Sequence, residues 1–447
     1  MENIRIDFAN TCGPVKPMNG VNNGPLGSYV RKTSGFELYK DLEIPYARLH
    51  DASFAEAYGG EYSVDVHRVF PNFDADENDP ASYIFEPTDK YMASIVAAGT
   101  KPFYRLGASI EHGRKRGTYP PKDFAKWARI CEHIIRHYTE GWADGFHYDM
   151  EYWEIWNEPD CYNWDGSNPC WQGTDEAFLD FYEIAAKYLK SCFPHLKIGG
   201  PAFAGSWPMP IRLAFCKAVK ERNIPLDFFA FHMYLKRPDK IAVEMKRVAD
   251  RFAEYGLELP EVFIDEWNYV RAWSGDDYEY AMDQQKKLKG ASVVAGTMCV
   301  GQASPVHGLM YYNAGPGGWN GIFSTAPVRP LKTYYTFKMF RDLRRLGTHV
   351  KTEYKYGNVY VCAATDGKTG GILLTNYSEH DSDIGQDVTI GLENIVGKNG
   401  MRVKIYKLDE THNGDLVYDE PYEDWETMIR LHLDLFTTCY IEIIPNE

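Results

Sequence analysis

The chain reads as an α/β protein, a (β/α)₈ TIM barrel followed by a C-terminal β-sandwich, and three patterns in its 447 residues predict this. Short apolar runs alternate with amphipathic helical stretches through the first three quarters, eight such runs can be counted, and beyond Thr348 the pattern turns to period-two strands without helices. Residues 15–347 are expected to form the barrel. Residues 1–14 together with 348–447 are expected to form the sandwich.

Ile4, Ile6 and Phe8 alternate, so the first segment is expected to add a strand to the C-terminal sandwich before the chain enters the barrel. The eight barrel strands are predicted at 17–21, 46–51, 102–106, 152–157, 198–201, 228–234, 262–266 and 308–312. Two of the intervening helices can be checked by spacing. Phe124, Trp127, Cys131, Ile134 and Ile135 recur at helical intervals after the start signal Pro120-Pro121, and Phe178, Tyr182, Ala185 and Leu189 share one face of a helix over 175–190. A doubly wound open sheet is the competing architecture. It would require a glycine-rich phosphate turn after the first strand, and Gly199-Gly200-Pro201 is too weak a signal to supply one. In the last quarter Val359/Val361, Ile372/Leu374, Val388/Ile390 and residues 440–444 mark the sandwich strands.

Composition narrows the function. A net charge of −15 argues against nucleic acid or an anionic membrane surface as partner, since either requires a basic face. Aromatics make up 15% of the chain, which fills a large core and also supplies flat apolar faces suited to sugar rings. The nine cysteines show no CxxC pairs and read as buried thiols, although Cys161 and Cys170 share one loop and could pair. No HExxH or paired Cys/His spacing appears, so no metal and no other cofactor is expected. The opening Met1-Glu2-Asn3-Ile4 has no basic, apolar leader, from which a cytoplasmic location is expected, or a secreted one if a leader has been trimmed. A homo-oligomer stays open. Asn376-Tyr377-Ser378 has the form of a glycosylation sequon and reads as chance.

The chemistry is carried by two glutamates, each ending an apolar run: Glu158 in Trp153-Glu154-Ile155-Trp156-Asn157-Glu158-Pro159, and Glu266 in Phe263-Ile264-Asp265-Glu266-Trp267-Asn268. They fall at the C-terminal ends of the fourth and seventh barrel strands, the face on which barrel active sites are built. Two carboxylates brought to about 5–5.5 Å form a retaining glycosidase pair, in which one attacks the anomeric carbon and the other protonates the departing oxygen. Strand alternation puts Trp267 on the face opposite Glu266 and Trp156 on the face of Glu158, one layer deeper; both are expected to pack.

Asn157-Glu158-Pro159 with Glu266, together with Asn19-Gly20-Val21-Asn22-Asn23-Gly24-Pro25, Arg48-Leu49-His50, His232-Met233-Tyr234 and the late segment from Tyr406 to Asn413, resembles glycoside hydrolase family 39, which includes β-xylosidases and α-L-iduronidases. The resemblance implies Glu158 as acid/base, Glu266 as nucleophile and Asn157 on the sugar 2-hydroxyl. It further implies that Tyr234 and Arg48 hold the Glu266 carboxylate, while His232 and His50 contact sugar hydroxyls or brace the carboxylates. The sequence departs from the family's xylosidases after the eighth strand. There Tyr311-Tyr312 occupies the strand, and Trp319 arrives in a glycine-rich loop as either a stacking platform or a loop anchor. Arg105 on the third strand would suit a carboxylate-bearing sugar unless the acids Asp51, Glu56, Glu61 and Asp65 neutralise it. The expected function is retaining hydrolysis of plant-type oligosaccharides, foremost as an exo-β-xylosidase or related pentosidase. A uronidase or endo-glycanase on the same barrel and a non-catalytic carbohydrate-binding barrel are the alternatives.

Overall fold

The computed structural model describes residues 4–25, 35–50, 64–110 and 116–446, apart from 316, 326, 355–356, 396, 398 and 424–426. After an N-terminal strand β1 (Ile4–Pro14), eight strands follow in chain order: β2 (Gly20–Asn22), β3 (Tyr46–Leu49), β4 (Lys101–Leu106), β5 (Tyr152–Ile155), β6 (Lys197–Phe203), β7 (Phe228–Leu235), β8 (Glu261–Tyr269) and β9 (Gly308–Tyr311). They close into a barrel. Neighbours pair in parallel throughout, and β9 returns to β2 through Gly20↔Met310 and Val21↔Tyr311. The predicted strands match these within a few residues. The first starts later than expected, at Gly20, since Pro17 has no amide to donate and serves instead as acceptor for the Leu309 amide.

The helices that cover the barrel form where their patterns predicted. Helix Phe124–Thr139 is capped by the Asp123 side chain accepting from the Lys126 amide, and it buries Trp127, Cys131, Ile134 and Ile135 against the wall. Helix Asp175–Cys192 is capped in the same way by Thr174 and buries Phe178, Tyr182, Ala185 and Leu189. Inside the barrel, Phe103, Tyr152, Phe228, Ala230, Phe263 and Met310 form a sealed apolar floor. The next layer up is polar and holds the buried side chains of Arg48, Glu154 and Asp265.

The rest of the chain forms β10 (Thr348–Tyr354), β11 (Val359–Thr365), β12 (Gly370–Asn376), β13 (Gln386–Glu393), β14 (Met401–Leu408), β15 (Asn413–Tyr422), β16 (Met428–Leu433) and β17 (Thr438–Pro445). With β1 they make one nine-stranded sheet in the order β15-β14-β17-β12-β11-β10-β1-β13-β16. Val403 and Ile443 near one end share a single hydrophobic core with Ile429 and Leu433 at the other, so the sheet curls over on itself as a sandwich. As expected, β1 joins it, lying antiparallel to β10 and parallel to β13.

Helix Leu288–Ala303 lies between barrel and sheet and is buried on nearly every side, which explains its lack of a polar face. Ser292 Oγ meets Thr375 Oγ1 at 2.8 Å across this contact, and Cys299 Sγ lies 3.2 Å from Cys362 Sγ. Asn376 of the formal sequon is fully buried and donates to the Leu433 carbonyl, which makes it a core residue. Among the described residues, no helix is long and apolar enough to cross a membrane.

Because β1 sits inside the sheet, its apolar positions should matter to stability even though they lie far from the barrel mouth. Ile6 is fully buried, and Ile6→Ala should cost about 2–5 kcal/mol in denaturant unfolding, whereas a cost under about 0.5 kcal/mol would contradict this placement.

Candidate active site

Arg48, on β3, is the hub of the barrel mouth. It is wholly buried, with Nε 2.8 Å from Glu154 Oε2 on β5 and 2.9 Å from Asp265 Oδ2 on β8. Its Nη2 donates to Asn157 Oδ1 at 2.7 Å, and Nη1 reaches Asn22 Oδ1 at 3.1 Å and Glu266 Oε2 at 3.4 Å. Asn22 in turn donates to the carbonyls of Asp265 and Met310, tying β2 to β8 and β9. One guanidinium thus fixes groups from three other strands, β2, β5 and β8, and from the turn after β5.

Two backbone irregularities bring the glutamates into the same hollow. Between β7 and β8 the register slips, with Phe231 opposite Ile264 but His232 opposite Glu266, so Asp265 is the extra residue of a bulge. Strict alternation would send Asp265 and Glu266 to opposite faces; the bulge lets both turn inward. After β5, Trp156 (φ 77°) and Glu158 (φ 48°) adopt left-handed backbone, a conformation that costs energy in any non-glycine residue and gathers at functional turns. This corrects the expected direction of Trp156. It leaves the face of Glu158 and packs outward against Trp127, Trp171 and Phe181, with its indole donating to the Cys170 carbonyl. Trp267 faces outward as expected, edge-on to Tyr311.

Within the hollow, one atom each of Glu158, His232 and Glu266 lie within 4.8 Å of one another. Tyr234 donates to Glu266 Oε1, Arg48 approaches Oε2, and His50 Nε2 stands 3.8 Å from that same oxygen. Glu158 is held more loosely. Its Oε1 lies 2.7 Å from His232 Nδ1, and its side chain keeps 18% exposure against 8% for Glu266.

Burial works against every charge here, so the local partners decide each titration. For His232, burial lowers the pKa, but Glu266, Asp265 and Glu158 outweigh it and push the ring up to about 9, so it is protonated at neutral pH. His50 is driven well below its ordinary value by burial and by the nearby cations Arg48 and Arg105, and is neutral. Burial and the neighbouring Asp265 raise Glu154 well above the carboxylate range despite Arg48. At Glu158 burial is outweighed by the charge and hydrogen bond of His232, which draw its pKa down. At Glu266, burial and the adjacent Glu158 prevail over His232, Arg48 and Tyr234 and push it up to about 7. The two glutamates therefore titrate as a coupled pair rather than as separate groups.

The rim is aromatic. Tyr312 lies edge-on to His50 at 6.0 Å, and Trp319 packs with Tyr234, Tyr312 and Tyr278. Trp273, 66% exposed, leans on both Tyr234 and Trp319. Sequence reasoning passed over Trp273, although a lone Trp just past the seventh strand was a signal. Glu154 and Asp265 were passed over as well, although acids inside apolar strands need a buried cation. Arg105 is fully buried and paired to Asp65 at 2.7 Å while also holding the His50 carbonyl, so its charge is neutralised in the wall. Asp51, Glu56 and Glu61 lie outside the described residues. A separate cavity of about 600 Å³, lined by Phe70, Tyr119, Trp127 and Trp156 among others, lies behind Trp156 and includes neither glutamate.

Among the described residues, two groups of side chains have the spacing to hold a cation: Glu158 with His232 and Glu266, and Glu158 with Cys161 and Cys170. All nine cysteines are free thiols.

The sequence matches the family model described as Glycosyl hydrolases family 39 over residues 50–270, in accord with the resemblance drawn from the motifs. The "Beta-xylosidase" of Geobacillus stearothermophilus is 31% identical over 206 residues, which make up 42% of this chain and 37% of that protein. The chain therefore spans little more than a third of the length of that relative. Among solved structures, a glucosidase from Croceicoccus marinus aligns over 100% of both chains with a TM-score of 0.79 at 20% identity. A monomeric beta-xylosidase from Caulobacter crescentus CB15 does so with a TM-score of 0.73 at 17% identity. At such identities these likenesses speak for the fold.

Glu266 and His232 are both raised in the fold, from 4.5 to about 7 and from 6.5 to about 9. Each adds stability that is complete below its ordinary value and is lost as pH rises through the folded one. Neutral His50 contributes in the opposite sense up to its ordinary value of 6.5, so the wild-type thermal midpoint should decline from about pH 7 to about pH 9, and between about pH 5 and pH 7 it should fall relative to that of Glu266→Gln. A wild-type midpoint that holds level from about pH 7 to about pH 9 would refute the His232 shift.

Proposed function

We propose, from the premise that the barrel belongs to glycosyl hydrolase family 39, that this protein hydrolyses glycosidic bonds by double displacement with retention of configuration. The supporting observation is the separation of the two carboxylates. An oxygen of Glu158 within 4.8 Å of one of Glu266 supports the close spacing of a retaining pair, about 5–5.5 Å between carboxyls, over the about 6.5–9.5 Å at which an inverting pair holds a water. Glu266 is the nucleophile. Tyr234 and Arg48 converge on it, fixing its orientation and favouring its charged form as positive charge develops at the anomeric carbon. Glu158, more exposed and, among the described residues, ion-paired only to His232, is the acid/base.

The first step needs the proton of the pair on Glu158, and His232 lies between the two carboxyls. Its Nδ1 lies 2.7 Å from Glu158 and 3.6 Å from Glu266, so the proton leaving Glu266 on substrate binding has a short path to Glu158. Glu158 then gives it to the departing oxygen and, in the second step, takes one from water. With its Oδ1 bonded to Arg48, Asn157 presents its amide NH₂ to the sugar 2-hydroxyl.

The substrate class is a β-xyloside or related pentoside in plant-type oligosaccharides, cleaved from one end. The names of the Geobacillus and Caulobacter relatives favour this, while the Croceicoccus name keeps β-glucosides in the panel to be tested. The uronic-acid alternative loses support, since the cation it would use, Arg105, is already paired with Asp65.

On nitrophenyl glycosides, Glu266→Ala should lose at least about 10³-fold in kcat, and added azide should yield the glycosyl azide of inverted configuration. In kcat/KM, which reports the first displacement, Glu158→Gln should lose about 10²–10⁴-fold on xylobiose yet much less on an activated aryl xyloside, whose leaving group needs no proton. Equal losses on both substrates, or wild-type turnover by Glu266→Ala, would overturn the roles.

A further inference from the structure

We propose that Cys161, Cys170 and Glu158 form a binding site for a thiophilic divalent cation of the Zn²⁺ type, and that its occupancy shuts down the active centre. One Sγ of each cysteine and one oxygen of Glu158 lie within 4.8 Å of one another, with Cys170 Sγ 3.9 Å from Glu158 Oε2. A tetrahedral zinc ion holds sulfur at about 2.3 Å and oxygen at about 2.0–2.2 Å, which sets its ligands roughly 3.5–3.8 Å apart. Contraction by about 1 Å or less completes such a site, within reach of a side-chain rotation at the half-buried Cys161.

The loop that carries these thiols is already fixed. Asn168 Oδ1 accepts from the amides of Cys170 and Trp171, and its Nδ2 donates to the Pro159 carbonyl, clasping the two ends of the loop together. The Cys161 amide donates to the Glu158 carbonyl, and the Cys170 carbonyl accepts from the Trp156 indole. Asp160, between Glu158 and Cys161, is anchored by buried Arg212. All three ligands thus sit on backbone held from several sides, the preorganisation that a metal site requires.

Charge selects this group over the other trio that includes Glu158. His232 and Arg48 bring positive charge to the Glu158–His232–Glu266 cluster, and a dication there would have to displace the His232 proton. On binding, each thiol releases a proton and donates a sulfur lone pair to the metal, and Glu158 donates an oxygen lone pair; nothing is oxidised or reduced. Water fills the fourth position. Glu158 then has one oxygen on the metal and the other on His232, leaving none to protonate a departing sugar.

Binding itself is independent of the function proposed above; the inhibition rests on the acid/base role given to Glu158. The full-length protein, reduced and freed of metal, would be titrated with Zn²⁺ by calorimetry and with Co²⁺ by absorption. Turnover of nitrophenyl xyloside would be followed in parallel, each variant scored against its own metal-free rate. The expected result is one ion per chain, a sulfur-to-Co²⁺ charge-transfer band, and loss of activity that tracks occupancy and is reversed by EDTA. Cys161→Ser and Cys170→Ser should each weaken binding and inhibition at least tenfold. Unchanged affinity in Cys161→Ser, or absence of the charge-transfer band, overturns the site; a full band with undiminished turnover overturns the blockade. A metal-free wild type without turnover on any glycoside counts instead against the glycosidase reading, and the absorption titration still decides the site.

Discussion

The structure depends on one buried charge. Arg48 sits at the barrel mouth with no access to water, and an isolated guanidinium there would be prohibitively costly unless carboxylates and amide oxygens surround it. Glu154, Asp265, Asn157, Asn22 and Glu266 meet that demand from different strands and turns. The same contacts that satisfy the arginine therefore set the position of the Glu266 carboxylate. Removing one partner would leave the remainder uncompensated, so the polar layer acts as a unit rather than as a set of separable pairs.

Arg48 and protonated His232 supply two positive charges to four carboxyl groups, those of Glu154, Glu158, Asp265 and Glu266. Burial and Asp265 hold Glu154 well above the carboxylate range, and Glu158 and Glu266 titrate as a pair. Each proton so held removes a negative charge that the dry barrel interior would otherwise carry.

Much of this could be read from the sequence, and the misses share a cause. The eight strands and the two glutamates followed from apolar runs and their ends, because burial on both faces leaves a strong local pattern. The inward turn of both Asp265 and Glu266, and the outward turn of Trp156, could not follow from alternation, because a bulge and left-handed residues interrupt it at these positions. Glu154 was legible in principle: an acid two residues above the floor residue Tyr152 must face the same interior and must find a cation there. The partner of Arg105 depended on a contact between β4 and the stretch around Asp65, which no local pattern encodes. That β1 joins the sandwich was legible in its alternation, but its place between β10 and β13, more than 300 residues away, was not.

The central claim is that Glu266 attacks the sugar while Glu158 handles the proton, across one shared hollow. A 2-deoxy-2-fluoro xyloside with a good leaving group slows the second displacement and leaves the sugar on whichever residue attacked it. Mass spectrometry of the digested, inactivated protein should find the fluorosugar on the peptide that contains Glu266. Its recovery on the Glu158 peptide, or inactivation without any covalent adduct, would contradict the account.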